Sequence, residues 1–267
     1  MTSEPNLDDL RALAERTARR AGALLLDGLG RARAEVSTKS TGTDMVTEMD
    51  RASEALITEQ LLGARPDDGI LGEEGADRAG TSGVRWVVDP LDGTTNYLYG
   101  FPGFNVSIGA EVDGRPAVGA VFDVVRQELF SAGRGRGATR DGEPIRASRA
   151  DELAHALVGT GFSYEPERRR RQAQVLVDLL PRVRDIRRQG AAALDLCSVA
   201  CGRLDAYYER GLAPWDLAAG GLIATEAGAI VTDFAGNAPR AGEVLAAAPG
   251  IAQALRALLA STGAATA

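Results

Sequence analysis

The chain has 267 residues and a formal net charge of −7, with 45% apolar and 25% charged residues. That length buries a sizeable core, in one large domain or two intimate lobes. The acid excess argues against general nucleic-acid binding, which needs a basic face for phosphate backbones. Cys197 and Cys201 are the only cysteines and His155 the sole histidine. A zinc site lacks ligands, and a Ser-His-Asp triad would have to use His155 as its base. The two cysteines share one face of a predicted helix, as small buried hydrophobes do. No basic-plus-apolar leader opens the sequence and no apolar run is long enough for a bilayer, so a reduced, cytoplasmic protein without membrane contact is expected.

In chain order, apolar residues at Leu10, Leu13, Ala14, Thr17, Ala21, Leu24 and Leu25 mark a helix over 7–26, with Asn6 as N-cap and Gly28 and Gly30 closing it. A polar connection over 37–44 leads to a second helix running to about Leu62, where Thr47 and Asp50 have capping-box spacing. Local reading makes Asp50 a helix cap and Lys39 a surface lysine. A turn at 66–69 precedes a short strand, 70–72, that ends in Glu73-Glu74 between glycines; in a turn such neighbours can converge, and otherwise they form a solvated loop.

Next, Trp86-Val87-Val88 forms a buried strand that delivers Asp89 to its end, where Pro90 is expected to stop it. Asp92 follows in a Pro-Leu-Asp-Gly turn, and Gly93-Thr94-Thr95 lead away. Two carboxylates on one tight corner repel unless protons or cations intervene, and oxygen ligands suit hard ions such as Mg²⁺. Free amides after Gly93 suit a phosphate. Taken alone, the same residues are also an ordinary turn with solvated acids.

Hairpin-like strands follow at 106–112, 116–125 and 128–132, with turns at Asp113-Gly114 and Asp141-Gly142. The glycine-rich run 133–137 lacks the ending of a P-loop and reads as a strand-end turn. The second half alternates: strand 156–160, helix 167–180, strand 183–188, helix 191–200, strand 204–209, helix 215–227, strands 229–233 and 244–248, and helix 251–259. The Arg168-to-Arg171 run is expected on a solvated surface and the Ala-rich tail to fray. The pattern is α+β over about 1–150 and α/β-like over about 151–260, in layered sheets and helices.

Gly-Glu73-Glu74-Gly, Asp89-Pro-Leu-Asp92-Gly-Thr94-Thr95-Asn96 and Pro214-Trp215-Asp216-Leu-Ala-Ala-Gly occur in one chain and in order. Together with Lys39, the run 46–50, Asp205-Ala-Tyr-Tyr-Glu209 and Glu226-Ala-Gly, they make the sequence resemble the inositol monophosphatase family over nearly its whole length. The resemblance implies a layered α-β-α-β-α sandwich of the inositol monophosphatase and fructose-1,6-bisphosphatase type. It also implies a Mg²⁺-dependent, lithium-sensitive phosphomonoesterase that acts as a homodimer on a small phosphorylated polyol such as myo-inositol 1-phosphate.

By position, the resemblance implies that Glu73, Asp89 and the Leu91 carbonyl bind one Mg²⁺, and Asp89, Asp92 and Asp216 a second. A third ion would sit near Glu73, with waters held by Asp50 and Glu74 and with Lys39 close by. Glu73 and Thr94 would activate the attacking water, Gly93, Thr94 and Thr95 would bind the phosphate, and Asp92, Ala192, Glu209 and Asp216 would meet the substrate. Many relatives carry a hydroxyl residue where this chain has Ala191, a departure that bears on fine specificity rather than on the chemistry.

Thr95 favours a polyol, since relatives acting on histidinol phosphate or 3′-phosphoadenosine 5′-phosphate often carry Lys or Arg there. The alternatives are the same chemistry on those esters or on fructose 1,6-bisphosphate. A reading of another class is a regulatory interaction protein that retains the metal site, because some bacterial members also act as partners of the transcription machinery.

Overall fold

The structure, a computed structural model, describes residues 5–29, 36–38, 45–239 and 242–267. Lys39 and the rest of the 39–44 connection lie outside the described residues, as does the Thr47 side chain of the expected capping box.

The chain begins with α1 (Leu7–Gly28), β1 (Val36–Thr38), β2 (Met45–Thr47) and α2 (Glu48–Ala64). Asn6 caps α1 by accepting the Asp8 amide at 3.0 Å, and the expected stripe from Leu10 to Leu25 is buried with Leu24 at its margin. There follow β3 (Gly69–Gly72), β4 (Asp77–Arg78), β5 (Val84–Asp92), α3 (Thr94–Tyr99), β6 (Asn105–Val112), β7 (Arg115–Asp123), β8 (Glu128–Gly133), β9 (Ala138–Arg140) and β10 (Glu143–Pro144). The second half contains β11 (Leu157–Thr160), α4 (Pro166–Leu179), β12 (Asp185–Arg187), α5 (Ala192–Ala200), β13 (Ala206–Arg210), α6 (Pro214–Glu226), β14 (Ile230–Thr232), β15 (Glu243–Ala247) and α7 (Ala252–Ser261).

β3 to β10 form an eight-stranded sheet in the order β10-β9-β8-β7-β6-β5-β3-β4, antiparallel except for the β3–β5 pair. β11 to β15 form a five-stranded sheet in the order β12-β11-β13-β15-β14, parallel among β12, β11 and β13. The Asp113-Gly114 and Asp141-Gly142 corners take positive φ at both residues, the backbone that two-residue hairpins require.

Burial of apolar faces sorts the elements into five layers. Leu10, Ala14, Leu25, Ile57 and Leu61 of α1 and α2 pack on Trp86, Val88, Ile108 and Phe122 of the large sheet. Leu196, Val199, Leu222 and Ile223 of α5 and α6 fill the space between the large sheet and the inner face of the smaller one. Val175, Leu179, Leu255 and Leu259 of α4 and α7 cover the outer face of the smaller sheet. This is the α-β-α-β-α sandwich expected from the sequence. Gly109 and Gly119 let α6 approach closely, since a Cβ on either would stand 2.8 or 2.7 Å from Ala218 Cβ or the Ala219 carbonyl.

Two expectations are corrected. Pro90 does not stop β5, which runs on to Asp92 through a register shift in its pairing with β6, and a bulge is where a ladder tolerates a residue without an N–H. The Ala-rich tail does not fray: Ala264 and Ala267 are buried beside α7, and Arg210 Nη1 donates to the Ala267 carbonyl at 2.9 Å.

Candidate active site

On β6, the partners of Asp89 and Asp92 are Ser107 and Asn105, two residues apart. Three steps along β5 therefore match two along β6, leaving one residue extra. In a regular strand, residues three apart point to opposite faces. The bulge cancels that alternation and sets both carboxylates on one face. Ser53 Oγ, from α2, donates to the Pro90 carbonyl at 2.8 Å, and the Leu91 amide donates to Asp89 Oδ1 at 3.1 Å. Asp92 accepts Asn105 Nδ2 at 2.8 Å and, at the start of α5, the amides of Ala192 and Ala193 at 3.2 and 2.8 Å.

Asp216 arrives from the first turn of α6, where it accepts the Ala213 amide at 2.6 Å. One oxygen each of Asp89, Asp92 and Asp216 lies within 4.8 Å of the others. Burial pushes the carboxyls of Asp89 and Asp216 well up from their usual range. Repulsion adds to this, from Glu73, Asp92, Asp216 and Asp50 on Asp89 and from Asp92 on Asp216. Asp92 is also raised by burial, against the pull of its three N–H donors and Arg188. Three carboxylate ligands that repel one another, two buried and one half-buried, fit a hard cation.

Glu73 lines the same cleft of about 390 Å³, with Leu91, Gly93, Thr94, Ala192 and Glu209. Glu74 does not line it; its carboxylate is buried 3.7 Å from Arg51 Nε, beside a shallow depression that includes Glu54. Glu54 holds this corner by accepting the amides of Glu74 and Ala76 at 2.8 and 2.9 Å. Asp50 is buried, and Thr94 Oγ1 stands 3.2 Å from its Oδ2 and 3.0 Å from the Leu91 carbonyl. Gly93 joins β5 to α3 at φ +92°, where a Cβ would stand 2.8 Å from the Gly103 carbonyl. Thr95 stands beside the rim, its hydroxyl 3.4 Å from that of Tyr164.

Opposite, Glu209 on β13 accepts the Tyr207 hydroxyl, and burial raises its carboxyl to about 7 against the pull of Tyr207 and Arg188. Asp195 on α5 is buried behind it, raised by burial and by Glu209. His155 is exposed beside Glu152, and Cys197 is buried with its thiol raised by burial, so neither joins the cleft. In the arginine run, Arg169, Arg170 and Arg171 are exposed, while Arg168 packs against Gly211.

A model of the inositol monophosphatase family matches residues 6–264. The chain belongs to that family. An inositol-1-monophosphatase SuhB of Mycobacterium tuberculosis (strain ATCC 25618 / H37Rv) is 50% identical over 246 residues, covering 87% of this chain and 82% of the relative. A Nus factor SuhB of Pasteurella multocida (strain Pm70) is 43% identical over 243 residues, covering 90% of this chain and 91% of that protein. Among solved structures, the native extragenic suppressor protein suhB of Bartonella henselae superposes with a TM-score of 0.90 at 37% identity, covering 94% of this chain and 98% of that one.

Within this inositol monophosphatase fold, each of the three sequence motifs brings acid to one cleft: Glu73, Asp89 with Asp92, and Asp216. Sequence reasoning missed Asn105, Glu54, Asp195, Tyr164 and Arg188. Asn105 and Glu54 act through contacts with residues 13 to 22 positions away, which no local motif announces. Among the described residues, no helix is long and apolar enough to cross a membrane.

Proposed function

We propose that this protein is a Mg²⁺-dependent phosphomonoesterase that releases phosphate from myo-inositol 1-phosphate or a related polyol monophosphate. One observation carries the reading: the β5 bulge and the start of α6 converge three carboxylates, those of Asp89 and Asp92 buried and that of Asp216 half-buried, beside the Gly93 turn. Glu73, Asp89 and the Leu91 carbonyl would hold one ion and Asp89, Asp92 and Asp216 a second, with Asp50, Glu74 and Lys39 serving waters of a third. When bound, Mg²⁺ would neutralise phosphate charge and polarise a water.

The protein's own groups do the rest. Thr94 Oγ1, lying between Asp50 and the Leu91 carbonyl, can donate its proton to either and keep a lone pair for the attacking water. Glu73 receives that water's proton. Gly93, Thr94 and Thr95 present amides and hydroxyls to the phosphate. Because Asp92 already takes the Ala192 and Ala193 amides, Ala192 lines the alcohol side through its methyl group, and Glu209 accepts the substrate hydroxyls.

The name inositol-1-monophosphatase carried by the M. tuberculosis relative supports this substrate. A single catalytic domain, a homodimer, inhibition by Li⁺ and a cytoplasmic setting belong to the same proposal. The test is phosphate release from myo-inositol 1-phosphate with and without Mg²⁺, beside histidinol phosphate at equal concentration. Release from the inositol ester that requires Mg²⁺ is expected; release confined to histidinol phosphate moves the enzyme to another substrate. A second reading, a regulatory interaction protein, draws on the name Nus factor carried by the P. multocida relative. An Asp89→Asn protein that keeps its biological role while losing hydrolysis would favour it.

A further inference from the structure

Two arginines line the cleft. Arg210 is engaged, donating to the Ala267 carbonyl at 2.9 Å with Glu243 3.8 Å from its Nε. Arg188 has no hydrogen bond or ion pair among the described residues. It is exposed, and most exposed arginines simply reach into water. This one turns back over its own loop, with Nη1 only 2.1 Å from the place a Cβ would take on Gly190, at φ +84°. The loop itself is pinned, because Asn96 Nδ2 donates to the carbonyls of Gln189 and Gly103 at 2.7 and 2.6 Å. The backbone next to Arg188 is thereby fixed, and the side chain lines the cleft wall.

Its charge falls on the Glu209 side of the cleft, where it draws down the carboxyls of Asp92, Asp195 and Glu209. A guanidinium offers five N–H donors in a planar fork that matches a carboxylate or a phosphate in two bonds, and a neutral hydroxyl in one. Glu209 beside it is an acceptor for hydroxyls. Acceptor and donor fork together suit an alcohol that carries both hydroxyls and an acid group.

We propose that Arg188 is a specificity-determining residue that reads a second anionic group, carboxylate or phosphate, on the alcohol part of the substrate. The cleft then favours phosphomonoesters of acidic polyols over matched neutral ones. This deepens the phosphomonoesterase reading and rests on it.

The experiment compares α-D-glucuronate 1-phosphate with α-D-glucose 1-phosphate, which differ only by a carboxylate in place of a hydroxymethyl group. The ratio of their kcat/KM values is measured for the parent enzyme, Arg188→Gln and Arg188→Lys, with the oligomeric state of each followed by light scattering. The expected result is a parent ratio above one that falls about tenfold in Arg188→Gln, chiefly through KM. Arg188→Lys should recover part of the loss, keeping the charge without the fork. A ratio that stays the same across the three proteins overturns the inference, whether or not the oligomer changes. If the parent enzyme releases phosphate from neither ester, nor from myo-inositol 1-phosphate, in the presence of Mg²⁺, the phosphatase reading itself falls and takes this inference with it.

Discussion

Asn105 donates its side-chain amide to Asp92 Oδ2 at 2.8 Å from a site with no solvent exposure. Its own Oδ1 finds no hydrogen-bond partner among the described residues, so the side chain is kept for what its amide gives to Asp92. Asn105→Ala should therefore weaken Mg²⁺ activation about 10- to 100-fold, the range for losing the partner of a metal ligand. Titrating activity against Mg²⁺ concentration reads this as a rightward shift. An unchanged midpoint would show that the two Ala amides orient Asp92 unaided.

Asp89 is repelled by four other carboxylates of the site. Burial raises its carboxyl first, and Glu73, Asp92, Asp216 and Asp50 add repulsion. Removing that charge should stabilise the metal-free protein while removing its response to Mg²⁺. Asp89→Asn is expected to melt a few degrees higher than the parent in chelator, where about 1 kcal/mol corresponds to roughly 2–4 °C for chains of this order. Its melting point should not climb with added Mg²⁺ as ligand linkage predicts for the parent. Hydrolysis should fall by at least about 100-fold. Thermal melts with and without Mg²⁺ and a steady-state assay check all three.

Gly93 meets two constraints at once, a φ of +92° and the Gly103 carbonyl 2.8 Å from where a Cβ would sit. Gly93→Ala should cost about 1–3 kcal/mol in denaturant unfolding. Gly75 also has positive φ, but open space where its Cβ would go, so Gly75→Ala should cost less. Equal losses at the two positions would argue that strain rather than the carbonyl contact dominates.

Glu209 gives the fold a pH dependence of definite sign. Its folded carboxyl is raised to about 7 from 4.5, so below pH 4.5 folded and unfolded chains both hold the proton and no penalty exists. As pH rises toward 7, the unfolded chain releases the proton first and stability is lost across that window. Glu209→Gln removes the contribution. Relative to the parent, the metal-free variant should gain on the order of 2 kcal/mol between pH 4.5 and pH 8. Denaturant melts at the two pH values measure it, and a constant difference between the proteins would count against the shift.

Most elements were legible because their apolar periods are long and their turns carry glycine, while the five layers followed from the family resemblance. That resemblance also implied one site for Asp89, Asp92 and Asp216, the last lying far along the chain from the other two. The bulge was not legible, since it exists only as a mismatch between β5 and β6; seen alone, Pro90 looked like a strand end. Glu73-Glu74 was ambiguous for a related reason. Whether the pair converges or diverges depends on Glu54, twenty residues back from Glu74, taking the amides of that corner. The docking of Ala264 and Ala267 rests on the apolar surface of α7 and on Arg210, which composition could not foresee. Arg188 escaped notice because an arginine gains meaning only from the wall it lies against.

The two amides that satisfy Asp92 come from residues 100 and 101 positions further along the chain. During synthesis, at about 5–20 residues per second, the acid therefore waits roughly 5–20 seconds for them. Asp216 must also emerge before the third carboxylate joins the cleft. A nascent chain released before Ala192 carries an acidic corner with Asn105 as donor but without the two amides or the third carboxylate. Catalytic competence is thus tied to late synthesis, and truncated products of this gene should be inert rather than partly active.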